Sequence, residues 1–149
     1  MRAVIQRVTE SRVEVEGATV GAINAGLLVL LGVEKGDQDS DFDYVLRKTL
    51  SLRVFEDSDG KMNLAVGQVS AEILVVSQFT LLGDVRGGNR PAFVAAEDPD
   101  KAQPVYERFV EAVGESGVNV QAGVFGADMK VHLVNDGPVT ILIDSRKIF

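Results

Sequence analysis

The stretch Gly26-Leu27-Leu28-Val29-Leu30-Leu31-Gly32-Val33 decides how the chain folds. Its aliphatic centre has no polar alternation, the pattern of a strand covered on both faces. It is far too short to cross a bilayer, which takes about 20 apolar residues. Such a strand needs partners at its edges and layers above and below it. Upstream, residues 3–8 and 12–15 are short β-branched segments, and Glu16-Gly17 offers a turn into a further segment at 19–23. Downstream, Asp39, Ser40 and Asp41 are N-cap candidates. Phe42, Val45, Leu46, Thr49 and Leu50 then keep the i, i+3, i+4, i+7, i+8 spacing of a helix with one buried face.

Further along, Arg53-Val54-Phe55 and Met62-Asn63-Leu64 flank Asp57-Ser58-Asp59-Gly60, which predicts a hairpin. Residues 73–76 form another short buried strand. Asp98 caps and Pro99 starts a second helix, whose apolar face is Val105, Tyr106, Phe109, Val110 and Val113. Pro104 inside that helix removes a backbone donor and predicts a late start or a kink. Two β-rich runs, 131–134 and 139–143, close the chain on either side of Asn135-Asp136-Gly137-Pro138. The expectation is one α/β domain over residues 1–149, with mixed, mostly antiparallel sheets forming a flattened barrel-like core and two helices on one side.

Composition narrows the function. The 149 residues, 46% hydrophobic, suit one core. A net charge of −7 argues against a broad basic face that coats nucleic acid, so any RNA contact is local, and neither DNA nor a membrane is an expected partner. With no cysteine there is no disulfide framework and no thiolate nucleophile or ligand. A cytoplasmic protein fits, since no h-region or cleavage site follows the N-terminal strand.

Several apparent motifs dissolve on inspection. Placing Gly60 at the glycine of a calcium loop puts Phe55 and Val66 at the end ligand positions, so this is a plain turn. Around Gly83, Gly87 and Gly88 the Lys and Ser/Thr of a phosphate loop are replaced by Asn89 and Arg90, and the dinucleotide spacing also fails. What remains is a mobile loop carrying Arg86 and Arg90. His132 is the only histidine, and strand alternation puts it on the face of Lys130, a surface position; with no cysteine beside it, no metal site is expected. Ser77-Gln78-Phe79-Thr80 sets hydroxyls and an amide directly after a buried strand. These residues are either a site or a polar strand end. Gly137-Pro138 is either functional or a turn joining the last two strands.

These segments, taken in order, resemble the D-aminoacyl-tRNA deacylase family over essentially the whole chain. The resemblance is carried by Ile5-Gln6-Arg7-Val8, the 26–33 stretch, Gly60-Lys61-Met62-Asn63-Leu64, Ser77-Gln78-Phe79-Thr80-Leu81, Arg90-Pro91, Ala127-Asp128-Met129 and Val134-Asn135-Asp136-Gly137-Pro138-Val139-Thr140. It implies a homodimer with two sites at the interface, acting without metal or cofactor on the acceptor end of aminoacyl-tRNA. In that family the Gly-Pro dipeptide, here Gly137-Pro138, is cis and reaches into the partner's site, where its main chain rejects an L side chain. Glycine charged on tRNA would pass such a steric filter.

The resemblance implies catalytic roles for Ser77, Gln78, Phe79 and Thr80, with backbone N–H groups near Phe79 and Thr80 as an oxyanion site. It offers either Thr80 as nucleophile or main-chain catalysis aided by the neighbouring ribose hydroxyl; the absence of a base for Thr80 favours the second. Arg7 braces the Gly137-Pro138 segment through its carbonyls, Phe125 and Met129 line the pocket for the terminal adenosine, and Arg86 and Arg90 meet phosphates. Two other readings compete: a general small-ester hydrolase with a Thr nucleophile, and a non-catalytic binder of charged tRNA ends.

Overall fold

A computed structural model describes residues Met1–Phe149. The elements run β1 (Arg2–Val15), β2 (Ala18–Ile23), β3 (Gly26–Gly32), α1 (Asp39–Ser51), β4 (Phe55–Glu56), β5 (Met62–Leu64), β6 (Glu72–Ser77), α2 (Pro99–Glu115), β7 (Val120–Ala122) and β8 (Lys130–Asp144). The main sheet has the order β2-β1-β3-β6-β7, and β8 pairs with β1 as well; β4 and β5 form the separate hairpin. The pairs β3–β6 and β6–β7 are parallel and those made by β1 antiparallel, which is the expected mixed sheet.

The aliphatic run at 27–31 is covered on both faces, as its lack of alternation predicts. Leu27, Val29 and Leu31 join Ile73 and Val75 beneath the helices, meeting Phe42 and Val45 of α1 and Tyr106, Phe109 and Val113 of α2. Leu28 points the other way, into a second cluster with Val8, Val13, Ile23, Leu74 and Val76 inside the curled sheet. Each fully buried Leu or Val here contributes about 1.5–3 kcal/mol. The Phe42 and Phe109 rings meet edge to face, 5.7 Å apart, and lock α1 to α2. The barrel closes where β2 passes β7. A Cβ on Gly21 would lie 2.7 Å from the Ala122 carbonyl oxygen, so only glycine allows that approach.

Four local expectations are corrected. The N-cap of α1 is Gln38, not one of the three polar residues after it; Asp39 and Asp41 lie in the first turn, and Asp41 accepts the Gln38 N–H at 2.8 Å. That bond is the main reason the Asp41 carboxyl is held below its usual range. The second helix does not start late: it begins at Pro99 and runs through Pro104. The two N-terminal segments are one strand, β1. The two C-terminal runs are likewise one strand, β8, because both pair with β1.

The last point changes what Gly137-Pro138 is. Gln6 pairs with Thr140 and Val8 with Asn135, so residues 136–139 leave the ladder opposite Arg7 alone. The segment is a bulge standing off a continuous strand, not a turn between strands.

Candidate active site

The sheet delivers three parallel strand ends to one place. At the carboxyl ends of β3, β6 and β7 a cleft of about 540 Å³ opens, lined by Leu31 at the end of β3 and Val33 beyond it, by Val76 and Ser77 at the end of β6 with Gln78 and Phe79 beyond them, and by Phe125 and Gly126 after β7. Parallel strands commonly bind ligands at this edge. Phe93, Met129 and Val131 complete the apolar wall, while Lys35, Glu97 and Asp98 add a polar rim. Of the site residues expected from sequence, the cleft thus gathers Ser77, Gln78, Phe79, Phe125 and Met129.

Beyond Ser77, residues Phe79–Leu82 wind into a 3₁₀ turn. Its first bonded donor is the Leu81 N–H, to the Gln78 carbonyl at 3.3 Å, so the N–H groups of Phe79 and Thr80 precede the bonded part of the turn. The Gln78 N–H is bonded to the Leu31 carbonyl at 2.8 Å, which fixes the turn to β3. Thr80 sits on the exposed rim outside the lining, where its hydroxyl oxygen accepts from the Gln78 amide. Phe79 is 56% exposed, unusual for so large an apolar ring, and stands edge-on to Phe93 at 5.1 Å. An exposed aromatic ring beside an apolar cleft suits a flat apolar ligand.

Gly137-Pro138 is elsewhere. The pair is exposed, its peptide bond is cis, and neither residue lines the cleft. Arg7 is 7% exposed, and its guanidinium donates to the Asp136 carbonyl at 3.1 Å and to the Val54 carbonyl at 2.5 Å. The first of these bonds is made at the carbonyl just before Gly137. Asn135 clamps the other side with its side chain: Oδ1 accepts the Val139 N–H at 2.8 Å, and Nδ2 donates to the Val139 carbonyl at 3.3 Å. Gly137 has φ +132°, and a Cβ there would lie 2.8 Å from Val139 Cγ2.

Arg86 and Arg90 also stand apart from the cleft. Their loop is pinched at its base by paired backbone bonds between Asp84 and Ala92, at 2.8 and 2.9 Å. Arg86 is engaged by Asp84 through two bonds of 2.9 and 2.7 Å, and that guanidinium pushes the Asp84 carboxyl down to about 2. Arg90 has no ion-pair partner, so of the two it is the one with charge to offer a phosphate. His132 is outside the cleft as well, with Nε2 3.3 Å from a Glu14 carboxylate oxygen on the neighbouring strand.

Three residues escaped the sequence reading as site residues. Tyr106 is recognisable there only as a core position of α2, yet its hydroxyl lies 2.9 Å from the Val75 carbonyl and 3.2 Å from that of Gly123. It thereby ties the end of β6 to the segment carrying Phe125, whose ring is 5.8 Å from its own. Burial pushes the Tyr106 hydroxyl up to about 12. Phe93 had no local signal at all. Asn135 had one, since Asn is a turn-capping residue, but the signal does not say which groups it caps.

A family model described as D-Tyr-tRNA(Tyr) deacylase matches residues 4–144. A D-aminoacyl-tRNA deacylase of Thermotoga petrophila is 58% identical over 149 residues, covering all of both chains. One of Geobacter sulfurreducens is 56% identical over 146 residues, covering 98% of this chain and 96% of its own. Among solved structures, a c-Myc DNA unwinding element binding protein superposes with a TM-score of 0.91 at 42% identity, covering 97% of this chain and 98% of that one. A probable eukaryotic D-amino acid tRNA deacylase, 19% identical with a TM-score of 0.78, shares the fold. A match across nearly the whole chain, at identities above one half, establishes that this chain belongs to the D-Tyr-tRNA(Tyr) deacylase family.

Proposed function

We propose that this protein is a cytoplasmic hydrolase that cleaves the ester joining a D-amino acid, or glycine, to the terminal ribose of tRNA. It acts as a homodimer, without metal or cofactor. In this reading Gly137-Pro138 of one copy reaches the cleft of the other and excludes L side chains. The observation that carries it is the separation of two built features: an open cleft at the strand ends, and a bulge fixed by Arg7 and Asn135 that lines no part of its own cleft. A filter so fixed and exposed has a use only against something outside its own chain.

The chemistry follows from the 3₁₀ turn. Water adds to the ester carbonyl carbon, and the charge on the carbonyl oxygen is met by the Phe79 and Thr80 N–H groups. Each such donor contributes about 2.7–4 kcal/mol in the transition state. Collapse breaks the bond to the ribose oxygen, which leaves with a proton while the amino acid keeps the water's oxygen; the adjacent ribose hydroxyl relays the proton. Phe79, Phe125 and Met129 hold the adenosine. Thr80 as nucleophile is disfavoured, because its hydroxyl is engaged by Gln78 and the sole histidine lies on another surface.

Matched D-Tyr-tRNA and L-Tyr-tRNA, incubated with the purified protein and a chelator, provide the test. The D ester is expected to disappear and the L ester to persist. Equal loss of both would overturn the filter, and protection of the D ester from spontaneous hydrolysis would make the protein a binder instead.

A further inference from the structure

The acidic chain keeps most of its cations neutralised, and three of the exceptions share one place. Of 15 Lys and Arg residues, eight stand in ion pairs: Arg2, Arg7, Arg12, Lys35, Arg86, Arg108, Lys130 and Arg146. Of the remaining seven, three converge on one ring. Arg47 Cζ, Lys48 Nζ and Lys147 Nζ lie 6.0, 5.7 and 5.8 Å from the centre of Tyr44. Two of them come from the same face of α1, at i+3 and i+4 from Tyr44. The third arrives from the far end of the chain, through a turn in which the Lys147 N–H bonds the Asp144 carbonyl at 3.0 Å and Lys147 takes φ 56°.

We propose that this Tyr44 surface is a docking site for the phosphodiester backbone of RNA, engaged when a tRNA terminus occupies the cleft. The inference rests on the proposed reading of that cleft. Three unpaired cations gathered from distant parts of an acidic chain repel one another and gain most from a polyanion that touches all three. The surface is also continuous with the cleft. Lys35 lines the cleft, Arg146 donates to the Lys35 carbonyl at 2.7 Å, and Lys147 follows Arg146. Lys35 and Arg146 themselves are paired with Asp98 and Glu34, so the intervening surface is close to neutral and the free charge along this path lies at Tyr44. This is the pattern of a small footprint set off from the catalytic edge, as a rigid acceptor stem requires of an acidic protein.

The test is the triple variant Arg47→Gln, Lys48→Gln, Lys147→Gln in the full chain, with its Tm checked against the parent. Three readouts are needed: KM for D-Tyr-tRNA, hydrolysis of the D-tyrosyl ester of adenosine, which has no phosphate, and binding of uncharged tRNA by fluorescence anisotropy across a salt series. KM is expected to rise on the order of tenfold with kcat unchanged, and the log–log salt slope of binding to shrink by about one per cation removed. Hydrolysis of the adenosine ester is expected to be unchanged. An unaltered KM and slope, or an equal loss on the adenosine ester, would overturn the docking surface. A parent that binds tRNA through these residues but fails to hydrolyse D-Tyr-tRNA would sink the proposed activity and leave the surface standing. Hydrolysis that is indifferent to the triple change would do the reverse.

Discussion

The 77–80 turn and the 136–139 bulge are both short polar interruptions of apolar strands, yet they are built in opposite ways. The turn comes where parallel strands end, at the edge of the cleft, so its first donors have no strand beyond them to pair with. The bulge is inserted into an antiparallel ladder that resumes on its far side, and its two ends are held by Arg7 at the Asp136 carbonyl and by Asn135 at the Val139 backbone. One segment leaves main-chain donors available; the other is pinned at both ends. A site that stabilises developing charge needs the first kind, and a steric gate needs the second.

Substitution at the bulge should break this contrast most severely. Gly137→Ala places a Cβ at φ +132°, 2.8 Å from Val139 Cγ2, so the bulge must shift. A displacement of about 1 Å at a positioning element costs about 100-fold, so the ratio of D to L hydrolysis should fall by about that factor while cleft residues stay in place. A ratio unchanged from the parent would show that the gate lies elsewhere. Next comes the brace. Arg7→Ala leaves the carbonyls of Val54 and Asp136 without their charged donor, a loss of about 3 kcal/mol in urea unfolding, and the selectivity ratio should drop with it. A stable Arg7→Ala protein with full selectivity would mean that Asn135 holds the bulge alone.

What was legible in the sequence divides along the same line. Residues 27–31 could be placed because a run without alternation says directly that both faces are covered, and the cleft residues 77–79 because polar groups straight after a buried run mark a strand end. Gly137-Pro138 was legible as a special position but not as a bulge. The local chemistry of a turn and of a bulge is the same there, and what separates them is that both flanking runs pair with β1, more than a hundred residues away. Tyr106 shows the same limit. Helical spacing buries its ring, while the destination of its hydroxyl depends on where β6 and the segment after β7 lie. The N-cap of α1 was missed because three good capping residues follow the one that serves, and Asp41 reaches back to the Gln38 N–H from within the helix.

Tyr106 offers a smaller and sharper test from the cleft side. Tyr106→Phe removes one buried hydroxyl and should cost about 1 kcal/mol, with KM rising more than kcat falls, since the wall carrying Phe125 loosens while the turn is untouched. Its pH dependence separates this from generic damage. The hydroxyl is raised from 10 to about 12 in the fold, so the neutral form is favoured there; its contribution is complete below pH 10 and fades as pH climbs towards 12. Parent and variant should therefore converge in Tm over that window. A constant gap would mean that the hydroxyl is not what holds the wall.

The smallest effect is expected at the residue whose chemistry looks most reactive. Thr80 stands on the exposed rim, and its hydroxyl is engaged by the Gln78 amide. Thr80→Ala removes that solvent-exposed bond, worth roughly 0.5 kcal/mol, and leaves the residue's own N–H where it was, so deacylation should fall by only about twofold to threefold. A nucleophile would behave differently: its loss abolishes turnover and leaves binding intact. Single-turnover rates on D-Tyr-tRNA would separate the two cases. If the rate collapses while KM holds, the main-chain account of the turn fails, and with it the contrast between a turn that does chemistry through its backbone and a bulge that contributes only its form.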